Sequence, residues 1–283
     1  MAVLAGLADA TGFDVRECES FVGTSAGSIV AAVLVAGIEP RARLGQLPEQ
    51  PPIPAGVAPA GEGLPGRALR LALGAGRTAA APVAAVGLRS TEPAGTLMRR
   101  AALSRVPAGR RSLADLGREV DRAGARWDGR LLVAAVDAAS GRRVMFGAPG
   151  APEVAVGRAV EASCAIPGVF RPVVIEGRGY VDGGVWSPTN MDRAPAARRT
   201  RVLCLNPTGS MRSSFAMPLG ALGALSRSLA AIEALALERR GASVTTVSPD
   251  EASLAAIGPN LMDRRQRSQV IAAGLAQGRA LAR

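Results

Sequence analysis

The sequence predicts an α/β protein, and three observations carry that expectation. Short apolar strand patterns alternate with helical ones along most of the chain. The pentad Gly23-Thr24-Ser25-Ala26-Gly27 stands between an apolar strand end, Phe21-Val22, and an apolar helix from Ile29 onward. The 283 residues are 48% apolar and 20% charged, an ordinary globular composition near the upper size for one hydrophobic core. A single domain over 1–283 is therefore expected, its sheet covered by helices on both faces.

Taken in order, Met1–Ala10 has apolar positions at helical spacing and Gly12 as its stop. Ser20–Val22 ends a short strand, and Ser28–Gly37 is an apolar helix closed by Gly37 and Pro40. Residues 41–66 are rich in Pro and Gly and read as a loop; 67–126 read as short basic helices without strand signals. Together, 41–126 is expected to be a lid-like helical and loop insertion. Leu131–Val136 and Arg143–Phe146 are strands around an Ala139-Ser140-Gly141 turn. Val156–Cys164 is a helix leading to Pro167, and a hairpin follows, Val173–Ile175 with Tyr180–Val181 around Gly177-Arg178-Gly179. Arg201–Leu205 reads as a buried strand, Leu219–Arg240 as a long helix, Val244–Val247 as the last strand and Arg264–Leu281 as the last helix.

Composition excludes whole classes of chemistry. The chain has no histidine and no lysine, so all 34 basic residues are arginine. A Ser-His-Asp or Cys-His arrangement, a lysine Schiff base and a histidine-ligated zinc are all ruled out. A carboxylate is left as the expected proton acceptor for acid–base work. Cys18, Cys164 and Cys204 lack metal-ligand spacing and read as reduced thiols in a cytoplasmic protein. No apolar run reaches the ~18 residues of a membrane span, and Met1–Ala10 lacks the basic start of a secretory signal.

The net charge of +11 points to anionic partners. Residues 61–130 concentrate it, with 13 Arg against 6 acidic residues, a net of +7. An anionic membrane surface, nucleic acid, and arginine-rich codon usage with no partner at all are the three readings. One Tyr, two Trp and five Phe offer little base stacking and no nucleic-acid motif is present, so no nucleic acid is expected.

Within the pentad, Ser25 is the nucleophile candidate. A sharp strand-to-helix turn lifts its hydroxyl out of the sheet, and Gly23 and Gly27 clear side chains where the backbone crowds. The helix that follows aims free N–H groups, Ala26 first, at a developing oxyanion. Asp182 is the base candidate, at the end of the Tyr180-Val181 strand, with Gly183 and Gly184 letting the backbone turn and leaving the carboxylate accessible. An ordinary Asp-Gly turn is the other reading of those residues.

These residues resemble the patatin-like phospholipase family. Val22 to Ser28 is similar to its nucleophile elbow, Ala162-Ser163-Cys164-Ala165-Ile166-Pro167-Gly168-Val169-Phe170 with Pro172 to the segment before its second catalytic residue, and Tyr180-Val181-Asp182-Gly183-Gly184 to its Asp-Gly-Gly motif. The run from Ser248-Pro249-Asp250 to Asp263 is also similar to bacterial members. The resemblance implies a Ser–Asp dyad, Ser25 as nucleophile and Asp182 as base, hydrolysing lipid or phospholipid acyl esters through an acyl-enzyme. It implies no metal and no organic cofactor. Its members open with a strand and a Gly-Gly-Gly-x-x-Gly oxyanion loop, which this sequence lacks; Met1 falls within the helix that follows. About fifteen to twenty preceding residues are expected from the length of one strand and a tight loop. The alternative is a catalytically impaired homologue that binds anionic lipid surfaces.

Overall fold

The computed structural model describes residues 1–45, 92–210, 219–258 and 266–282. Most of the expected insertion, 46–91, and most of the Gly258-to-Asp263 run lie outside the described residues. In chain order the first elements are α1 (Ala2–Thr11), β1 (Phe21–Thr24), α2 (Ala26–Val35), α3 (Pro40–Gly45), α4 (Glu92–Leu103) and α5 (Ala114–Arg122). Then come β2 (Leu131–Asp137), β3 (Arg143–Phe146), α6 (Val156–Ser163), β4 (Val173–Ile175) and β5 (Arg178–Asp182). The last are β6 (Arg201–Leu205), α7 (Leu219–Glu238), β7 (Ser243–Val247), α8 (Glu251–Ile257) and α9 (Arg267–Ala280).

β2 organises the main sheet. It pairs in parallel with β1, Phe21 to Thr24 lying opposite Leu131 to Ala134. It pairs antiparallel with β3 through Val133 to Val136 and with β5 through Ala135 to Asp137. A strand has two edges, and these registers overlap. Val133 and Ala134 pair with both β1 and β3, while Ala135 and Val136 pair with both β3 and β5. β1 and β5 therefore occupy the same edge of β2, end to end. β1 runs with β2 and β5 against it, so their C-terminal ends converge at Ala134 and Ala135.

One face of this sheet carries Phe21, Leu131, Val133, Phe146 and Tyr180, packed with Ala31, Ala32 and Leu34 of α2 and Ala159 and Val160 of α6. Phe146 and Tyr180 meet edge to face at 5.2 Å. On the opposite face Val22 packs with Met191, Ala194 and Cys204, joining the sheet to the β6–β7 pair and α7.

Four local expectations need correcting. Residues 41–45 are helical rather than loop, because Pro40 opens α3 at a position where a missing N–H costs nothing, and Arg41 pairs with Asp9 of α1. The hairpin turns at Glu176-Gly177, with φ 47° and 74°, whereas Arg178 and Gly179 are already in β5. Positive φ at both central residues is the twist that two-residue hairpins prefer. The last strands are not fully covered: Cys204 is buried, but Leu203 is 40% exposed on a strand that pairs only with β7 among the described residues. Finally, a helix that the sequence reading does not include, α8, stands between the last strand and the last helix, with Asp250 accepting from the Ser253 N–H as its cap.

Within 41–126, α5 belongs to the body of the domain. Its Gly117 meets Gly157 of α6 so closely that a Cβ on Gly157 would lie 2.0 Å from the Gly117 carbonyl oxygen. Val120 sits in the main core.

Candidate active site

The convergence of β1 and β5 brings two chemically active side chains together. Ser25 follows β1 and Asp182 closes β5, and the Ser25 Oγ–H donates to Asp182 Oδ2 at 2.7 Å. Ser25 has φ 51° and ψ −125°, a strained conformation for a residue with a side chain. Such strain persists only where the surroundings over-determine it. Here the Ser25 N–H donates to Ser163 Oγ at 2.9 Å, and the Ser25 carbonyl accepts from the Ser28 hydroxyl at 2.6 Å and the Ser28 N–H at 2.8 Å.

The segment after α6 touches both partners. Ser163 holds the Ser25 backbone, and the Ala165 carbonyl accepts from the Asp182 N–H at 2.9 Å. This is the local reason why Ala162 to Phe170 travels with the other two motifs. Cys164 lies beside the pair, 3.9 Å from the Ser28 hydroxyl; burial and the neighbouring Asp182 push its thiol up to about 12. That keeps it protonated and non-nucleophilic at neutral pH. Cys18, Cys164 and Cys204 are all free thiols.

Asp182 is only 5% exposed, which corrects the expectation of an accessible carboxylate. The strand end is roofed by the segment after α6 on one side and by its own turn on the other. Burial raises its pKa from 3.8 to about 6, while hydrogen bonds from the Gly184 N–H and the Ser25 hydroxyl pull the other way. The Gly184 N–H donates to Asp182 Oδ1 at 2.7 Å, so it steadies the carboxylate and is not available to an oxyanion. Gly183 is required by space: a Cβ there would lie 2.4 Å from the Ala134 carbonyl oxygen.

Of the remaining residues singled out in the sequence, Gly23 is buried at the end of β1, while Ala26 and Gly27 are exposed at the start of α2. The first N–H groups of a helix have no intrahelical acceptor, and the positive end of the helix dipole lies at Ala26 and Gly27, next to Ser25 in sequence. A small cleft of about 100 Å³ opens against Gly184, walled by Trp186, Pro188, Leu225 and Leu229, with Arg99 stacked 3.7 Å over the Trp186 ring. Sequence reasoning passed over Ser28, Ser163 and Asn190. Ser28 and Ser163 lie inside quoted motifs, and their spacing from Ser25 and Asp182 was the available signal.

The fold is that of an α/β protein with a strand–turn–helix serine set at hydrogen-bonding distance from a carboxylate. The family model for patatin-like phospholipases matches residues 1–195, well over half of the chain, and the chain belongs to that family. It is thereby an α/β protein of a lipid acyl hydrolase family. No curated protein matches the chain. Among the described residues, no group of His, Cys, Asp or Glu could hold a metal ion, and no helix is long and apolar enough to cross a membrane.

Proposed function

We propose that the protein is a serine lipid acyl hydrolase, a phospholipase or esterase, working through a Ser25–Asp182 dyad and an acyl-enzyme. The observation that carries this reading is the 2.7 Å hydrogen bond from the Ser25 hydroxyl to Asp182 at a strained elbow. With no histidine or lysine in the chain, a carboxylate is the base that the sequence can offer. Asp182 takes the Ser25 proton as Oγ attacks the ester carbonyl. The oxyanion forms beside the Ala26 N–H and the α2 N-terminus. Asp182 then returns the proton to the departing alcohol, and a water repeats the sequence to release the fatty acid. An ionised Asp182 is needed for the first step, and a pKa near 6 leaves it ionised at neutral pH yet basic enough to accept a proton.

The test is turnover of a short-chain ester and labelling by a fluorophosphonate. Ser25→Ala should abolish both. Asp182→Asn should remove most turnover, and the double variant should lose no more than the worse single. Near-native turnover in Asp182→Asn would overturn the dyad.

A peripheral contact with anionic lipid is supported by α4. Leu97 and Met98 are 62% and 65% exposed there, next to exposed Arg100 and with Arg105 and Arg110 following. Exposed apolar side chains within a basic stretch suit a lipid surface better than bulk water. We place the protein in the cytoplasm, at the membrane when working.

A further inference from the structure

β1 and β5 meet end to end on one edge of β2, so no ladder hydrogen bond runs between them. Each is registered to β2, and β5 to β4 as well, but neither to the other. The sheet places Thr24 and Asp182 opposite neighbouring residues of β2, and side-chain bonds across the break between the strands set the finer spacing. We propose that Asn190 is the positioning residue that does so, tying the end of β1 to the end of β5 through one side-chain amide. The proposal rests on the Ser25–Asp182 reading above.

Asn190 is fully buried, and its φ of 50° is one that Asn tolerates. Its Oδ1 accepts from Arg143 Nη1 at 3.0 Å. A guanidinium only donates, so this contact fixes which end of the amide is oxygen. Arg143 is itself held by Asp192, one bond from each terminal nitrogen, both at 2.8 Å. The Asn190 NH₂ group then faces three acceptors: Thr24 Oγ1 at 3.0 Å, the Gly183 carbonyl at 3.3 Å and the Ser187 carbonyl at 2.6 Å. Thr24 is the residue before the nucleophile, and Gly183 the residue after the base. The chain of bonds is closed, because the Thr24 hydroxyl donates to the Thr189 carbonyl at 3.3 Å. Buried Glu233 anchors the same turn, through the Thr189 hydroxyl and the Met191 N–H. Asn190 thus holds both halves of the dyad without touching a reacting atom.

A displacement of about 1 Å at a reacting pair costs on the order of 100-fold in rate. The experiment measures kcat and KM on a soluble butyrate ester for Asn190→Ala, Thr24→Val, Thr24→Ser and the Asn190→Ala/Thr24→Val double variant. Rates are normalised to folded protein by near-UV circular dichroism, with Ser25→Ala as reference. Asn190→Ala and Thr24→Val should each lower kcat by about 10- to 100-fold, with KM within about twofold of wild type. Thr24→Ser keeps the hydroxyl and should restore most of kcat. The double variant should lose no more than the worse single.

Folded single variants with wild-type kcat, or losses that multiply in the double variant, would overturn the proposal. If Asn190→Ala does not fold, the Thr24 pair decides alone: equal kcat for Thr24→Val and Thr24→Ser overturns it. Residual turnover in Ser25→Ala would remove the dyad reading and this proposal together. An inactive Ser25→Ala beside a fully active Thr24→Val would remove the role of Asn190 only.

Discussion

A Cβ placed on Gly23 would lie 2.4 Å from the Cα of Ser28, whereas one placed on Gly27 would meet nothing within 4 Å. The two glycines of the pentad are therefore not equivalent. Gly23 lets the first turn of α2 fold back onto the end of β1, and Gly27 fills no steric need. Gly23→Ala should abolish ester turnover and lower Tm sharply, since backbone cannot yield at that distance. Gly27→Ala should keep turnover and gain up to about 1 kcal/mol from helix propensity. Thermal melts and kcat of the two variants side by side decide this, and equal damage would contradict it.

The acidic limb of the pH–rate profile should lie near pH 6, where Asp182 gains its proton and can no longer act as base. Activity is lost as pH falls through that value and retained above it. A limb in this range usually suggests imidazole, but this chain has none. The limb should shift upward in Gly184→Pro, which removes the N–H that stabilises the charged carboxylate. The profile is measured as kcat/KM on a neutral soluble ester.

The same group makes a prediction about stability. Asp182 has a folded-state pKa raised above its unfolded value, so the native state holds its proton longer as pH rises. Below about pH 3.8 both states are protonated and the group contributes nothing. Stability is lost between about 3.8 and about 6, and the loss is constant above that. At about 1.4 kcal/mol per pKa unit, the ionised carboxylate costs about 3 kcal/mol at pH 7. The neutral isostere Asp182→Asn should therefore melt several degrees higher than wild type at pH 7 and show no advantage at pH 4. Urea midpoints at the two pH values check it.

For the lipid surface, Leu97→Ser/Met98→Ser should weaken binding to vesicles containing phosphatidylglycerol while sparing turnover of a soluble ester. Replacing exposed Arg100, Arg105 and Arg110 by Gln should flatten the salt dependence of that binding. Arg99 does not belong in this set, because it is buried against Trp186. Equal sedimentation with neutral and anionic vesicles would leave the +7 stretch without a partner.

The dyad candidates were legible because residue identity alone narrows them. A glycine-flanked serine between a strand and a helix is a local pattern, and the absence of histidine and lysine forces the search to carboxylates. The burial of Asp182 was not legible, since Asp-Gly-Gly reads as exposed turn chemistry until the Ala165 carbonyl is seen over its N–H. Asn190 was invisible for a related reason. Its importance depends on β1 and β5 sharing one edge of β2, which is a fact of register that no window of sequence contains. The helix at Pro40–Gly45 was lost because the Pro- and Gly-rich composition after it was averaged over both.

α1 and α9 cross at a distance that only glycines permit: a Cβ on Gly6 would lie 2.2 Å from the Leu275 carbonyl oxygen, and one on Gly278 2.1 Å from that of Val3. This contact joins residues from opposite ends of the sequence, so it is among the most non-local in the molecule. During synthesis α1 leaves the ribosome early but has to wait for Gly278 before its partner surface exists. Its apolar side meanwhile stays open to other chains or to a chaperone. Docking of α1 is thus tied to the synthesis of α9, and the refolding rate should be limited by closure of that long loop rather than by the local β2–β3 and β4–β5 hairpins.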